Sequence, residues 1–140
     1  MIRHVLMVDL KDDPGAIDAY RAHHRRVWPE VVRSLRVVGI REMEIYLLGR
    51  RLVMIVETDG RDVRRAFAAH VASSPRVAEW EALMKSLQQP PPDGRPGEWW
   101  TEMEPISWRT DSATTSAVTC GLSETARRTA SRWAVTRRPR

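Results

Sequence analysis

The 140-residue chain is poor in several features that define large classes of proteins. Its only cysteine, Cys120, excludes an internal disulfide framework and a cysteine-based zinc site. No stretch approaches the roughly 20 consecutive apolar residues that are needed to span a bilayer. The segment Met1–Leu10 is interrupted by charged and polar side chains, unlike a secretory signal peptide. We therefore expect a protein of a reducing, cytoplasmic setting that does not interact with membranes.

Motifs for several common chemistries are also missing. The sequence has no glycine-rich phosphate loop and no serine nucleophile motif. Its four histidines are scattered, and no spacing of His, Asp and Glu is typical of a zinc or iron site. The adjacent His23 and His24 would point about 100° apart on a helix. The sequence thus predicts no metal site.

The net charge of +5 is confined to the end of the chain. Residues 1–108 contain sixteen basic and sixteen acidic side chains, whereas residues 109–140 contain seven arginines and two carboxylates. A neutral body argues against a nucleic-acid-binding surface on the folded domain. The last segment is rich in Ser, Thr and Arg, so we expect a domain at 1–108 and a disordered basic tail at 109–140. Nucleic-acid binding by this tail is less favoured than a solvated tail without function.

The pattern of apolar residues predicts the element order β-α-β-β-α-β. Strands are predicted at residues 2–10, 41–48, 51–58 and 98–108. Each of the two helical connections is predicted as a pair of helices. The first pair covers residues 16–24 and Pro29 to near Gly39. The second pair is a helix that starts at Asp59 or Gly60 and a helix from Pro75 to Leu87. Residues 88–97, rich in Pro and Gly, are predicted to form an irregular loop. This order is typical of a ferredoxin-like antiparallel α+β fold with its helices on one face. The other face would be covered by a second copy in a dimeric α+β barrel.

The segment Tyr20–Glu30 is the most informative part of the chain. Tyr20, His24 and Trp28 recur at four-residue steps, so the first two share one helical face. Pro29 suits the first turn of the next helix. A proton donor and acceptor beside an aromatic wall suits a small sugar pocket. The same spacing also continues an ordinary apolar stripe, and on spacing alone a core role is favoured over catalysis.

With this segment, residues 1 to about 108 resemble the L-rhamnose mutarotase family, which includes L-fucose mutarotase-like members. The matching residues are Arg3, the Tyr20…His24…Trp28-Pro29-Glu30 block, Gly39 with Ile45-Tyr46-Leu47, Trp80, and Trp100 with Met103-Glu104. The segment Gly97–Glu104 is closer to the fucose type than to the rhamnose type. The resemblance implies a cytoplasmic homodimer without cofactor or metal. It also implies interconversion of the α and β anomers of a monosaccharide, a 6-deoxy sugar such as L-rhamnose or L-fucose.

The resemblance also assigns roles to individual positions. It implies a pocket with His24 as the catalytic residue and Tyr20, Trp80, Trp100 and Met43 as substrate-binding residues. Histidine titrates near pH ~6.5, so one imidazole can act as acid and as base at neutral pH. Met43 stands where the family carries a tyrosine that takes part in the chemistry. The candidates for a second proton-handling group are therefore Tyr20, a carboxylate such as Glu104, and an ordered water.

Three departures from the family pattern keep other functions open. Besides Met43, the family's second helix tryptophan is replaced by Glu81, and an aromatic residue near the end is replaced by Ile106. A non-catalytic member that binds a sugar or another small ligand is the main alternative. A cofactor-free monooxygenase is a weaker alternative, because only the fold supports it and a fold does not fix a function.

Overall fold

The computed structural model describes residues 1–107, and the predictions made for residues 109–140 lie outside them. The elements, in chain order, are β1 (Ile2–Leu10), α1 (Pro14–Arg25), α2 (Pro29–Val37), β2 (Ile40–Leu48), β3 (Arg51–Thr58), α3 (Val63–Ala72), α4 (Pro75–Leu87), β4 (Gln88–Gln89) and β5 (Thr101–Glu102). No helix in this part of the chain combines the length and apolar character needed to cross a bilayer.

The sheet has β1 at its centre and is antiparallel throughout. Its strand order is β2-β3-β1-β4, and β5 also pairs with β1. Leu6 of β1 lies opposite Met54 of β3 and opposite Glu102 of β5. This order confirms the predicted ferredoxin-like fold. Alternate β1 residues such as Val8 and Leu10 are fully buried and pack with side chains from the helices, which defines the inner face of the sheet.

The last part of the sheet differs from the prediction. The strand predicted at 98–108 is reduced to Thr101–Glu102, and Gln88–Gln89, predicted as loop, forms β4 beside the end of β1. The physical reason is tertiary: Gln88 is 3% exposed, and its Oε1 accepts a hydrogen bond from Trp99 Nε1 at 2.8 Å. The segment thus pairs with Asp9 and Leu10 of β1, residues distant in the chain, although its local sequence favours a loop.

Two Xaa-Pro steps explain why each helical leg breaks in two, as predicted. Trp28 is extended, with φ −60° and ψ 137°, and Pro29 begins α2. Ser74 is also extended, and its side chain accepts a hydrogen bond from the Val77 N–H at 3.3 Å at the start of α4. The residue before a proline is disfavoured in the helical region, so the chain turns at these two positions. The second turn sets the direction of α4, which carries Trp80.

Two glycines with positive φ set the other helix boundaries. Gly39 has φ +92° and follows the end of α2, as predicted. Gly60 has φ +107°, a conformation that cannot continue into a helix, so the predicted start of α3 at Asp59 or Gly60 is wrong. The helix begins instead after Asp62, whose Oδ1 accepts a hydrogen bond from the Arg65 N–H at 2.9 Å.

Candidate active site

A cavity of about 1180 Å³ opens between the inner face of the sheet and the helices. The five residues predicted from the sequence to form the site, His24, Tyr20, Trp80, Trp100 and Met43, all line it. This volume exceeds the range of roughly 300–1,000 Å³ that is usual for small-molecule pockets. The cavity therefore has room for a monosaccharide together with solvent.

His24 is held in a defined orientation at the end of α1. Its ring stacks on the Tyr20 ring with centroids 4.2 Å apart, and its Nδ1 lies 2.9 Å from the Tyr20 carbonyl oxygen. That carbonyl can only accept, so Nδ1 carries the hydrogen and Nε2 keeps a free electron pair. Burial lowers the pKa of His24, the hydrogen bond to Tyr20 opposes this, and nearby His23 adds to the lowering. The imidazole is therefore neutral and able to accept a proton at pH 7.

Trp80 forms the aromatic wall beside His24. Its side chain is 5% exposed, and its ring meets the His24 ring edge-on with centroids 5.6 Å apart. Trp28 packs on Trp80 at 5.2 Å, and the Arg76 guanidinium lies 3.6 Å from the centroid of the Trp28 ring. These contacts fix the plane of the Trp80 indole by packing from two sides. Trp28 thus supports the wall from behind.

Tyr20 belongs both to the core and to the cavity wall. It is 4% exposed, and burial raises its pKa. The negative charge of Glu81 raises that pKa further, and the Gln88 side chain partly offsets both effects. The phenol therefore keeps its proton at physiological pH and serves as a hydrogen-bonding group, not as a base.

Met43 and Trp100 lie in the part of the cavity formed by the sheet. Met43 pairs with Val56 of β3 and packs on the apolar cluster around Leu6 and Met54. Trp100 packs against this cluster and also against the cluster that contains Trp80. The Met43 thioether carries no exchangeable proton, so it contributes an apolar surface.

Sequence reasoning did not assign many of the residues that line the cavity, and four of these bear on its chemistry. They are Glu81, Lys85, Gln88 and Trp99. Lys85 Nζ lies 3.8 Å from Glu81 Oε1 and 5.9 Å from the centroid of the Trp99 ring. The i, i+4 spacing of Glu81 and Lys85 places both on one face of α4, but the spacing does not show that this face turns inward, and Gln88 follows the end of the helix. Glu104, considered above for proton handling, is instead exposed and away from the cavity wall.

Metal coordination was tested by geometry. Within residues 1–107, no group of three or more His, Cys, Asp or Glu side chains is arranged to hold a metal ion. The Tyr20 phenol, which stacks on the His24 ring, and the Glu81 carboxylate line the same cavity as His24. These side chains can accept and donate protons.

Comparison with known proteins identifies the family. A family model described as L-rhamnose mutarotase matches residues 3–108. An L-fucose mutarotase from Xanthomonas campestris is 47% identical over 105 residues, covering 73% of this chain and 83% of that protein. An L-rhamnose mutarotase from Burkholderia ambifaria is 32% identical over 107 residues, covering 66% of this chain and 86% of that protein. The crystal structure of an L-rhamnose mutarotase from Formosa agariphila covers 78% of this chain and 99% of its own, with a TM-score of 0.56 at 22% identity. The chain therefore belongs to the L-rhamnose mutarotase family of carbohydrate isomerases.

Proposed function

We propose that the protein is an aldose mutarotase that interconverts the α and β anomers of a 6-deoxy sugar, with His24 transferring the proton of the anomeric hydroxyl. One observation carries the proposal. The His24 ring lines the cavity, its Nδ1 is engaged by the Tyr20 carbonyl, and its Nε2 is left as a free proton acceptor. We also place this reaction in the cytoplasm, which fractionation of cells that produce the protein would test.

The reaction requires proton transfers that His24 suits. Ring opening removes the proton of the anomeric hydroxyl and adds one to the ring oxygen as the C1–O5 bond breaks. Rotation about C1–C2 and closure on the other face of the aldehyde reverse both transfers. A positioned general acid–base contributes roughly 10²–10⁴-fold. The lowered pKa of His24 keeps its imidazole in the form that accepts the first proton.

L-Fucose is the substrate that we favour over L-rhamnose. The L-fucose mutarotase is 47% identical to this chain, against 32% for the L-rhamnose mutarotase. Trp80 and Trp100 offer flat apolar surfaces to the C–H side of a deoxy sugar, and an indole N–H can bond a hydroxyl. Both sugars share the 6-methyl group, so their discrimination depends on the ring hydroxyls.

The test is proton NMR saturation transfer between the anomers of each sugar, with and without the protein. We expect saturation of one anomeric proton to reduce the other anomer's signal in the presence of protein, and more strongly for L-fucose than for L-rhamnose. Saturable binding of either sugar without faster exchange would contradict the enzyme proposal and support the non-catalytic sugar-binding alternative.

We further propose that the outer face of the sheet forms a homodimer interface. This face includes Tyr46, 55% exposed, and Leu48, 85% exposed, beside the half-buried Val53 of the central β3 strand. Val53→Glu would place a charge in the middle of that face. We expect light scattering to give twice the chain mass of 16.1 kDa for the wild type and the single chain mass for this variant. Val37→Glu on α2, 77% exposed, is the control that should remain dimeric. A monomeric wild type would overturn the dimer.

A further inference from the structure

Anomer interconversion needs two proton-handling groups, and His24 supplies only one of them. Met43 brings no exchangeable proton to the cavity, and burial raises the pKa of Tyr20, which makes its phenol a weaker proton donor. We propose that Glu81 is the second catalytic residue and exchanges a proton with the ring oxygen of the sugar. This inference rests on the mutarotase function proposed above.

Position in the fold selects Glu81 among the carboxylates. Two acidic side chains line the cavity within residues 1–107, Glu42 and Glu81. Glu42 is exposed on β2, whereas the side chain of Glu81 is 26% exposed. Glu81 directly follows Trp80 on α4, and the Trp80 ring lies 5.6 Å from the His24 ring, centroid to centroid. The Glu81 side chain thus lines the same cavity as the His24 imidazole.

The surroundings of Glu81 favour a proton that can be held and released. Burial raises its pKa, and the Lys85 ammonium, 3.8 Å away, opposes this without cancelling it. The other ionisable groups that line the cavity from the helices packed on α4 are Tyr20, Arg21, His24 and Arg25 of α1, Arg36 of α2, and Arg64 and His70 of α3. Arg64 is paired with Glu98 at 2.5 Å and His70 Nδ1 with Ser34 Oγ at 2.8 Å, so each has its own partner.

The proposed step balances without any further reactant. His24 Nε2 takes the proton of the anomeric hydroxyl, and the electron pair of that O–H bond forms the carbonyl. The electron pair of the C1–O5 bond passes to the ring oxygen, which takes the proton of the Glu81 carboxylic acid. After rotation about C1–C2, closure returns one proton to Glu81 and the other to the new anomeric hydroxyl. Both residues end in their starting protonation states.

The test is the pH profile of kcat/KM for Glu81→Gln, which keeps the size of the side chain but cannot exchange its proton. We expect a decrease on the order of 10²-fold or more. The wild type needs protonated Glu81 and neutral His24, so its profile should fall at both ends. The variant should keep only the fall at low pH that belongs to His24. Glu79→Gln, on the exposed side of the same helix, is the matched control and should keep both limbs.

A cavity-forming variant separates catalysis from folding. Glu81→Ala should lose activity and recover part of it when formate is added, because a small carboxylic acid can occupy the vacated space. Two results would overturn the role of Glu81. One is a Glu81→Gln variant that has a raised KM but whose pH profile still falls at both low and high pH. The other is a folded Glu81→Ala variant that formate does not rescue. Failure of the wild type to accelerate exchange of any tested sugar would overturn the mutarotase function, and this inference with it.

Discussion

Replacement of His24 by asparagine should lower kcat for anomer interconversion on the order of 10²–10⁴-fold. The asparagine amide N–H can replace Nδ1 as donor to the Tyr20 carbonyl, so the local structure should persist while Nε2 is lost. Because the pKa of His24 lies below its usual value, we expect the low-pH fall of the wild-type rate, the part that belongs to His24, to lie below pH ~6.5. Saturation-transfer rates measured from pH 4 to 9 give both quantities.

The neighbouring histidine provides the control for this substitution. His23 lies beside Trp80, with ring centroids 6.2 Å apart, but does not line the cavity. His23→Asn should therefore change kcat by less than about threefold, well short of a general acid–base effect. Full activity in His24→Asn, or equal losses in the two variants, would exclude His24 as the proton-transfer residue.

Replacement of Trp80 by alanine should destabilise the protein by about 3–5 kcal/mol. Trp80 is 5% exposed and is the contact point between Trp28 behind it and His24 in front. Its removal leaves a cavity that the helices cannot fill without leaving their packed positions. The change in free energy of unfolding follows from urea denaturation monitored by circular dichroism.

A conservative substitution shows how much of this effect belongs to packing. Trp80→Phe keeps an aromatic ring against Trp28, so we expect it to destabilise by less than half as much as the alanine variant. A decrease of less than about 1 kcal/mol in the free energy of unfolding of Trp80→Ala is typical of a surface substitution, and would mean that Trp80 is not part of the core.

The parts of the fold that depend on local chemistry were predictable from the sequence. The Trp28-Pro29 and Ser74-Pro75 steps broke the helical legs where expected, and Gly39 followed the end of α2. Gln88–Gln89 was predicted wrongly, because it becomes a strand by pairing with Asp9 and Leu10 of β1, which are distant in the sequence. The left-handed φ of Gly60 moved the start of α3, and a glycine's choice of φ sign is not encoded by its neighbours.

The candidate site also contains residues that were predictable from the sequence and residues that were not. Four-residue spacing placed Tyr20 and His24 on one helical face, and their rings do stack. Glu81 was seen only as a departure from the family pattern, because a charged residue on a helix is most simply expected to face water. Its inward position depends on how α4 packs on α1, which no local pattern specifies. Partly buried carboxylates of this kind are found by three-dimensional structure.

The most direct measurement is the rate of α–β exchange of L-fucose by NMR saturation transfer, with wild type and His24→Asn compared at equal concentration. We expect the wild type to transfer saturation between the two anomeric protons and the variant to give the rate of the sugar in buffer alone. No acceleration by the folded wild type with L-fucose, L-rhamnose or other 6-deoxy sugars would contradict a mutarotase. It would leave the cavity as a binding site.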